Sequence, residues 1–356
     1  MDSLPLGLLA LIFVAGAAVI WVAGIQLSKT TDVIDAKLHL GSAIGGIVVL
    51  AVATNLPEIA ITVSAAMAGN LDVAVGNILG GIALQTVVLV ILDFFGKRGR
   101  GVKPLTYRAA SISLVLEGIV VVAVLTAVVI GSQLPSGLEV LRLTPDVVLI
   151  AALWVVGIVL VQRGQKTFPT ADQSAINTRP QHPPTPSGHR RNKPDPKMST
   201  RKAFIVFALA ALATLGAGVL LERVGNAMAS DLGLSGVLFG ATVLALATSL
   251  PEISTGLQAI KQGDDNLAIS DIFGGNAFLP VLFLVATLIS GKAVLPSANS
   301  SDVYLTALAA ILTLVYVVGL IFRSPRKVAG MGVDSLVVLC LYVVGLAGLF
   351  AISAAG

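Results

Sequence analysis

The stretch Ala53-Thr54-Asn55-Leu56-Pro57-Glu58 decides how the rest of the chain reads, because it recurs as Ala247-Thr248-Ser249-Leu250-Pro251-Glu252. Each copy sets a proline and a carboxylate inside a long apolar run. A charge at membrane depth is costly and normally faces a partner or a water-filled cavity. Proline has no N–H and crowds the carbonyl four residues back, here that of Ala53 or Ala247. A carboxylate beside main-chain oxygens released in this way forms a site for a hard cation.

The flanking sequence supplies the membrane. The 356 residues are 56% hydrophobic and 12% charged, with a mean hydropathy of +0.93. Several runs reach the ~20 apolar residues that cross a bilayer. The chain therefore reads as an all-α polytopic membrane protein, and a soluble fold is excluded. Cys340 is the single cysteine, so one chain can build neither a disulfide nor a thiolate metal site. The first apolar run lacks a basic start and reads as a retained helix, not a cleaved signal. The net charge of +4 reflects topology, so no nucleic-acid partner is expected. The expected partners are inorganic cations and the lipid bilayer, with no cofactor; the oligomeric state is left open.

Ten spans are predicted at 6–27, 39–68, 72–95, 108–131, 145–163, 202–221, 234–260, 266–290, 302–322 and 333–353. With this layout only Arg142, Arg223 and Lys292, of 23 Lys and Arg residues, fall on one side. The positive-inside rule then places both termini outside and the central loop in the cytoplasm, and the membrane expected is the plasma (inner) membrane. That loop, residues 164–201, separates a first membrane half (1–163) from a second (202–356). It carries Pro169, Pro180, Pro183, Pro184, Pro186, Pro194 and Pro196 and few apolar residues, so disorder is expected. His182 and His189 within it fit a solvated tether better than a metal site.

Sliding the first half by 194 positions lays residues 41–96 on 235–290 without a gap. Glu58 then falls on Glu252, Asn77 on Asp271, and Gly80 and Gly81 on Gly274 and Gly275. Five spans per half is an odd number, so the second half enters the membrane from the opposite side. The prediction is two inverted five-helix repeats with their carboxylates facing near the midplane. A lone intramembrane glutamate could be a protonated structural acid; duplication at matched positions favours ion binding. Glu117 in the fourth span is a weaker candidate. The Asp264-Asp265 pair lacks the alternating oxygens of an EF-hand and reads as a solvated turn.

With these residues in view, the chain resembles the sodium/calcium exchanger family of the cation/calcium antiporter superfamily. The resemblance rests on Ala53–Glu58 followed by Gly76-Asn77-Ile78-Leu79-Gly80, and on Ala247–Glu252 followed by Asp271-Ile272-Phe273-Gly274-Gly275-Asn276. It implies Glu58 and Glu252 as central Ca²⁺ ligands, helped by the main-chain oxygens of Thr54 and Thr248. Ser249 stands where the family uses a serine for a flanking ion, and Asn55 replaces that serine in the first copy. Asn77, Asp271, Gln85 and Asn276 complete the candidate metal-binding set. The family's serines on the following helices become Gly81 and Gly275, and its terminal polar residues become Gln85 and Leu279.

The implied function is export of Ca²⁺ in exchange for Na⁺ or H⁺, with the first and sixth spans sliding past the rest. Asn55 and Gln85 also look like the proton-coupled branch, although that branch's Glu-His pair is absent, since Ile59 and Ile253 follow the glutamates. The lost oxygens favour a proton by a narrow margin, because Na⁺ needs its hydration shell replaced. A proton can sit directly on Glu58, Glu252 or Asp271. Even so, Asn55, Ser249, Asn276 and the released carbonyls could build one sodium site. A passive cation channel is the alternative. An intramembrane acid-dependent hydrolase is less well supported, because near-identical surroundings do not split two carboxyls into acid and base.

Overall fold

The computed structural model describes residues 4–38, 51–96, 99, 101–109, 111–135, 137, 143–167, 198–233 and 239–355. The first part of the predicted second span (39–50), most of the predicted loop (168–197) and the start of the predicted seventh span (234–238) lie outside the described residues. At the loop's edges the chain is helical, since one helix runs through Thr167 and the next opens at Thr200.

The chain is helical in the order α1 (Leu6–Leu38), α2 (Leu56–Ala68), α3 (Leu71–Phe95), α4 (Leu105–Arg108), α5 (Ile112–Ser132) and α6 (Pro145–Thr167). The second half continues with α7 (Thr200–Asp231), α8 (Ala245–Thr248), α9 (Leu250–Gln262), α10 (Asp265–Phe278), α11 (Leu282–Ser290), α12 (Ser300–Phe322) and α13 (Val333–Ala355). A two-residue hairpin, β1 (Lys327–Val328) with β2 (Met331–Gly332), precedes α13. Among the described residues, 8 helices are long and apolar enough to cross a membrane, or 9 if the bent pair on either side of Ser249 is one span. The remaining predicted span is represented by α2, whose 13 residues cover only about 20 Å of a ~30 Å hydrocarbon core.

Two boundaries differ from expectation for a simple reason. Helices α1 and α7 have 33 and 32 residues, so each is roughly 50 Å long and outruns the bilayer. Hydropathy registers only the apolar part of each. The fourth span opens at Ile112, four residues later than predicted, because Ala109 leaves the helical region and Ser111 then caps α5 by accepting the Ser113 N–H.

Helix α3 is the axis of the bundle. Its residues Ala74–Val90 are buried without interruption, and α2, α9, α10, α12 and α13 pack around it. The two long helices pack on each other, and each also crosses to the opposite half: α1 onto α9, and α7 onto α2. Glycines set both crossings. A Cβ on Gly24 of α1 would lie 2.8 Å from the Pro251 Cβ, and one on Gly218 of α7 would lie 3.1 Å from both the Pro57 carbonyl and the Ala60 Cβ. These two glycines are themselves equivalent under the repeat offset.

At the end of α3, Asp93 ties three segments together. Its buried carboxylate accepts the Leu105 N–H at 2.7 Å, the Gly332 N–H at 2.6 Å and the Ser335 hydroxyl at 3.0 Å. A negative charge is unfavourable at the C-terminal turn of its own helix. It is stabilised here because α4 and α13 both present their N-terminal donors to it. Removing it strands two main-chain N–H groups, at roughly 1–3 kcal/mol each. Asp93→Ala is therefore expected to lower the thermal midpoint of the purified protein by on the order of 5 °C. An unchanged midpoint in a thermal-shift measurement would show that the knot carries no stability.

Candidate functional site

The two copies of the motif fold alike. Residues 51–54 are helical, the helix breaks at Asn55 (φ −88°, ψ 16°), and α2 restarts with Pro57 in its first turn. In the second copy a π-helical turn, Gly240–Leu244, leads into α8. The break falls at Ser249 (φ −81°, ψ 4°) and α9 restarts with Pro251. The two axes there differ by 48°. Hydrogen bonds repeat position by position. The Thr54 and Thr248 hydroxyls donate to the Ala51 and Ala245 carbonyls at 3.3 and 3.2 Å. Each motif helix ends on a left-handed glycine, Gly69 and Gly263, followed by an N–H···O bond of 2.9 Å from Asn70 to Ala65 and from Asp264 to Ala259. Proline breaks the helix because it cannot donate to the carbonyl four residues back, so each break lies beside its glutamate.

The broken helices place Glu58 and Glu252 in the protein's interior, both 0% exposed. Glu252 stands within Coulombic range of Glu58 and of Asp271. Thr248 lies beside Glu58, while Thr54 lies beside Glu252 and Asp271, so each threonine serves the other half's acid. Among the described residues, one oxygen of Glu58, both of Glu252 and one of Asp271 have no hydrogen-bond partner. Buried carboxylate oxygens are seldom left so. Among the described residues no three His, Cys, Asp or Glu side chains form a metal cluster. A cation here would therefore need hydroxyl and main-chain oxygens besides the carboxylates.

The remaining predicted residues divide. Gln85 joins the site, donating to the Asn55 Oδ1 at 3.1 Å and reaching the Glu58 Oε1 at 3.5 Å. Asn276 donates instead to the Thr86 hydroxyl at 3.1 Å and to the carbonyl of Ile82, its own repeat equivalent, at 3.5 Å. Asn77 is buried in α3 with neither amide atom bonded, and the buried Ser249 hydroxyl is also unpartnered. Glu117 lines a cavity whose wall holds Ala51 and Gly274 together with Trp154, Val161 and Phe278. Asp265 is no solvated turn residue. It pairs with Arg108 at 2.6 Å, with side chains only 10% and 14% exposed.

Two participants were missed in the sequence. The Thr255 hydroxyl donates to the Asp271 Oδ2 at 2.7 Å; its place three residues after Glu252, on the same helical face, was the available signal. Thr86, the partner of Asn276, sits beside Gln85 and carried no pattern of its own.

A helical membrane protein whose interior helices break at prolines beside unpartnered carboxylates has the build of a cation carrier. The chain belongs to the sodium/calcium exchanger protein family, which it matches over residues 8–161 and 202–351. The family is one of transporters, not enzymes. The chain is 28% identical over 279 residues to the putative antiporter CaxA of Alkalimonas amylolytica, covering 78% of this chain and 80% of that one. Its fold is similar to that of the sodium-calcium exchanger NCX_Mj, with TM-score 0.60 and 18% identity, covering 96% of this chain and 99% of that one. It is also similar to the H⁺/Ca²⁺ exchanger CAX, with TM-score 0.62 and 12% identity, covering 96% and 88%.

Proposed function

We propose that this protein is a secondary-active antiporter that exports Ca²⁺ from the cytoplasm in exchange for Na⁺ or H⁺. Glu58 and Glu252 would be the central ligands, with oxygens of Thr54 and Thr248. The observation that carries this reading is the pair of buried glutamates with unpartnered oxygens, each at a proline break and each beside the other half's threonine. Two carboxylates offset a divalent charge, and hard oxygens suit Ca²⁺. Asp271 adds a third acid, so Glu252 faces like charge from two sides. An empty site of this kind is costly to carry through a closed state, which ties loss of Ca²⁺ to arrival of another cation.

The same reading includes ten spans in two inverted halves. Its supports are the 194-residue offset, the matched hydrogen bonds of the two motifs, and the contact of Ile82 with Asn276. Equivalent residues touch where a two-fold axis passes. The arginine and lysine distribution supports both termini outside and the 164–201 loop in the cytoplasm. Exchange by relatives named for sodium and for protons supports either coupling ion.

The test is Ca²⁺ flux from loaded vesicles containing the purified protein. Ca²⁺ is expected to stay inside until a Na⁺ or a pH gradient is applied, and the effective gradient identifies the coupling ion. Rapid loss of Ca²⁺ with neither gradient would indicate a channel and end the antiport reading.

A further inference from the structure

The two halves carry different charge at one matched position outside the central glutamates. Under the offset of 194, Asp271 corresponds to Asn77. Each is the seventh residue of its helix, α10 or α3, and so stands roughly 9 Å in from that helix's start. Each helix follows the left-handed glycine that ends a motif helix, Gly263 or Gly69. In the inverted arrangement proposed above, the Gly263 turn is cytoplasmic and the Gly69 turn faces outside. Asp271 lies roughly 12 Å along α10 from Leu279, so it does not replace the polar group missing there.

Asp271 is held off centre. It is 3% exposed, and its Oδ2 accepts the Thr255 hydroxyl at 2.7 Å. Its Oδ1 has no partner among the described residues. Thr255 follows Glu252 by three residues in α9, which sets the Thr255–Asp271 pair about 5 Å nearer the cytoplasmic end than Glu252. Asp271 is still within Coulombic range of Glu252 and beside Thr54. The matched place in the first half has no charge. There Ile61 stands for Thr255 and Asn77 for Asp271, both buried, and neither amide atom of Asn77 is bonded among the described residues.

A carboxylate placed this way acts unequally on the two approaches. Ca²⁺ arriving from the cytoplasm meets a negative charge one turn before the glutamates. Ca²⁺ arriving from outside has only an amide and an isoleucine at the matched depth. Charge of one sign in a narrow approach with low-dielectric walls raises association rates by roughly 10–1,000-fold. We propose that Asp271 is the capture residue of the cytoplasmic approach, and that its exchange for Asn77 in the other half makes half-saturating Ca²⁺ lower on the cytoplasmic face than on the outer face. This rests on the Ca²⁺ antiport reading above. The bias is kinetic. The ion gradients alone fix the final distribution of Ca²⁺, while Asp271 sets how little cytoplasmic Ca²⁺ keeps the exchanger turning over.

Exchange of radioactive for unlabelled Ca²⁺ tests it without a coupling ion. It is measured on inside-out and right-side-out membrane vesicles from cells expressing the protein, corrected for cells that do not, with saturating Ca²⁺ inside. The readout is half-saturating external Ca²⁺ at the outer face divided by that at the cytoplasmic face, expected to be about ten or more in the wild type. Asp271→Asn should lower this ratio about tenfold by raising the cytoplasmic value. Asp271→Glu keeps the charge and should hold the ratio within about threefold of the wild type. Asn77→Asp should lower the ratio from the other side, by lowering the outer value. The proposal is overturned by a wild-type ratio near or below one, by an Asp271→Asn that raises both values equally, or by an Asn77→Asp that leaves the outer value unchanged. Absence of Ca²⁺ exchange by the wild type in both kinds of vesicle is a different result. It ends the antiport reading, and the capture role of Asp271 falls with it.

Discussion

Replacing either Glu58 or Glu252 by glutamine is expected to abolish Ca²⁺ exchange while the protein still folds and elutes as the wild type does. Both side chains are fully buried with unpartnered oxygens among the described residues, and the amide oxygen of a glutamine can still accept the bond that Gln85 gives Glu58 at 3.5 Å. Glutamine keeps the volume and one carbonyl oxygen but removes the charge that faces a divalent ion. Removing one member of a buried ionic pair typically costs about 3–5 kcal/mol, which is roughly two to three and a half powers of ten in affinity at about 1.4 kcal/mol each. The change should therefore appear in Ca²⁺ binding and in flux together. Wild-type exchange in both variants would falsify the assignment of these residues as ligands. The two variants need not be equal: Gln85 reaches Glu58, whereas Asp271 stands near Glu252. Relief of that like-charge contact in Glu252→Gln should leave it the more stable of the two.

The second large effect is expected from a pair of glycines outside the site. Gly24 and Gly218 let α1 and α7 cross the proline breaks at Pro251 and Pro57. If those long helices slide during exchange, valine at 24 meets Pro251 backbone and side-chain atoms, and valine at 218 meets the Pro57 backbone and the Ala60 Cβ, at 2.8–3.3 Å. Overpacking of this kind costs roughly 1–3 kcal/mol, and each 1.36 kcal/mol in a barrier is about tenfold in rate. Gly24→Val and Gly218→Val should each slow exchange by about tenfold or more while Ca²⁺ affinity stays within about threefold. That split separates a transport defect from a binding defect. A fall in affinity as large as the fall in rate would place these glycines in support of the site and not of the movement.

Much of this protein was legible in its sequence because hydropathy and repetition are local signals. The apolar runs mark a helical membrane protein, and a hexapeptide recurring 194 positions later singles out Glu58 and Glu252. The proline rule correctly located both helix breaks, since a missing N–H acts wherever the residue stands. What sequence could not supply was which groups meet across the halves. Thr54 serving Glu252, Thr255 holding Asp271, and Asn276 turning away to Thr86 depend on packing between segments far apart in the chain. Nothing local to Asp93 marks it; its role comes from residues 105, 332 and 335 converging on it in the fold. The substitution of Asn55 for a hydroxyl was visible from the start. Only the tertiary structure showed the amide lying in the space above Gly275, because a side chain's partners are set by what the fold brings within about 3 Å of it.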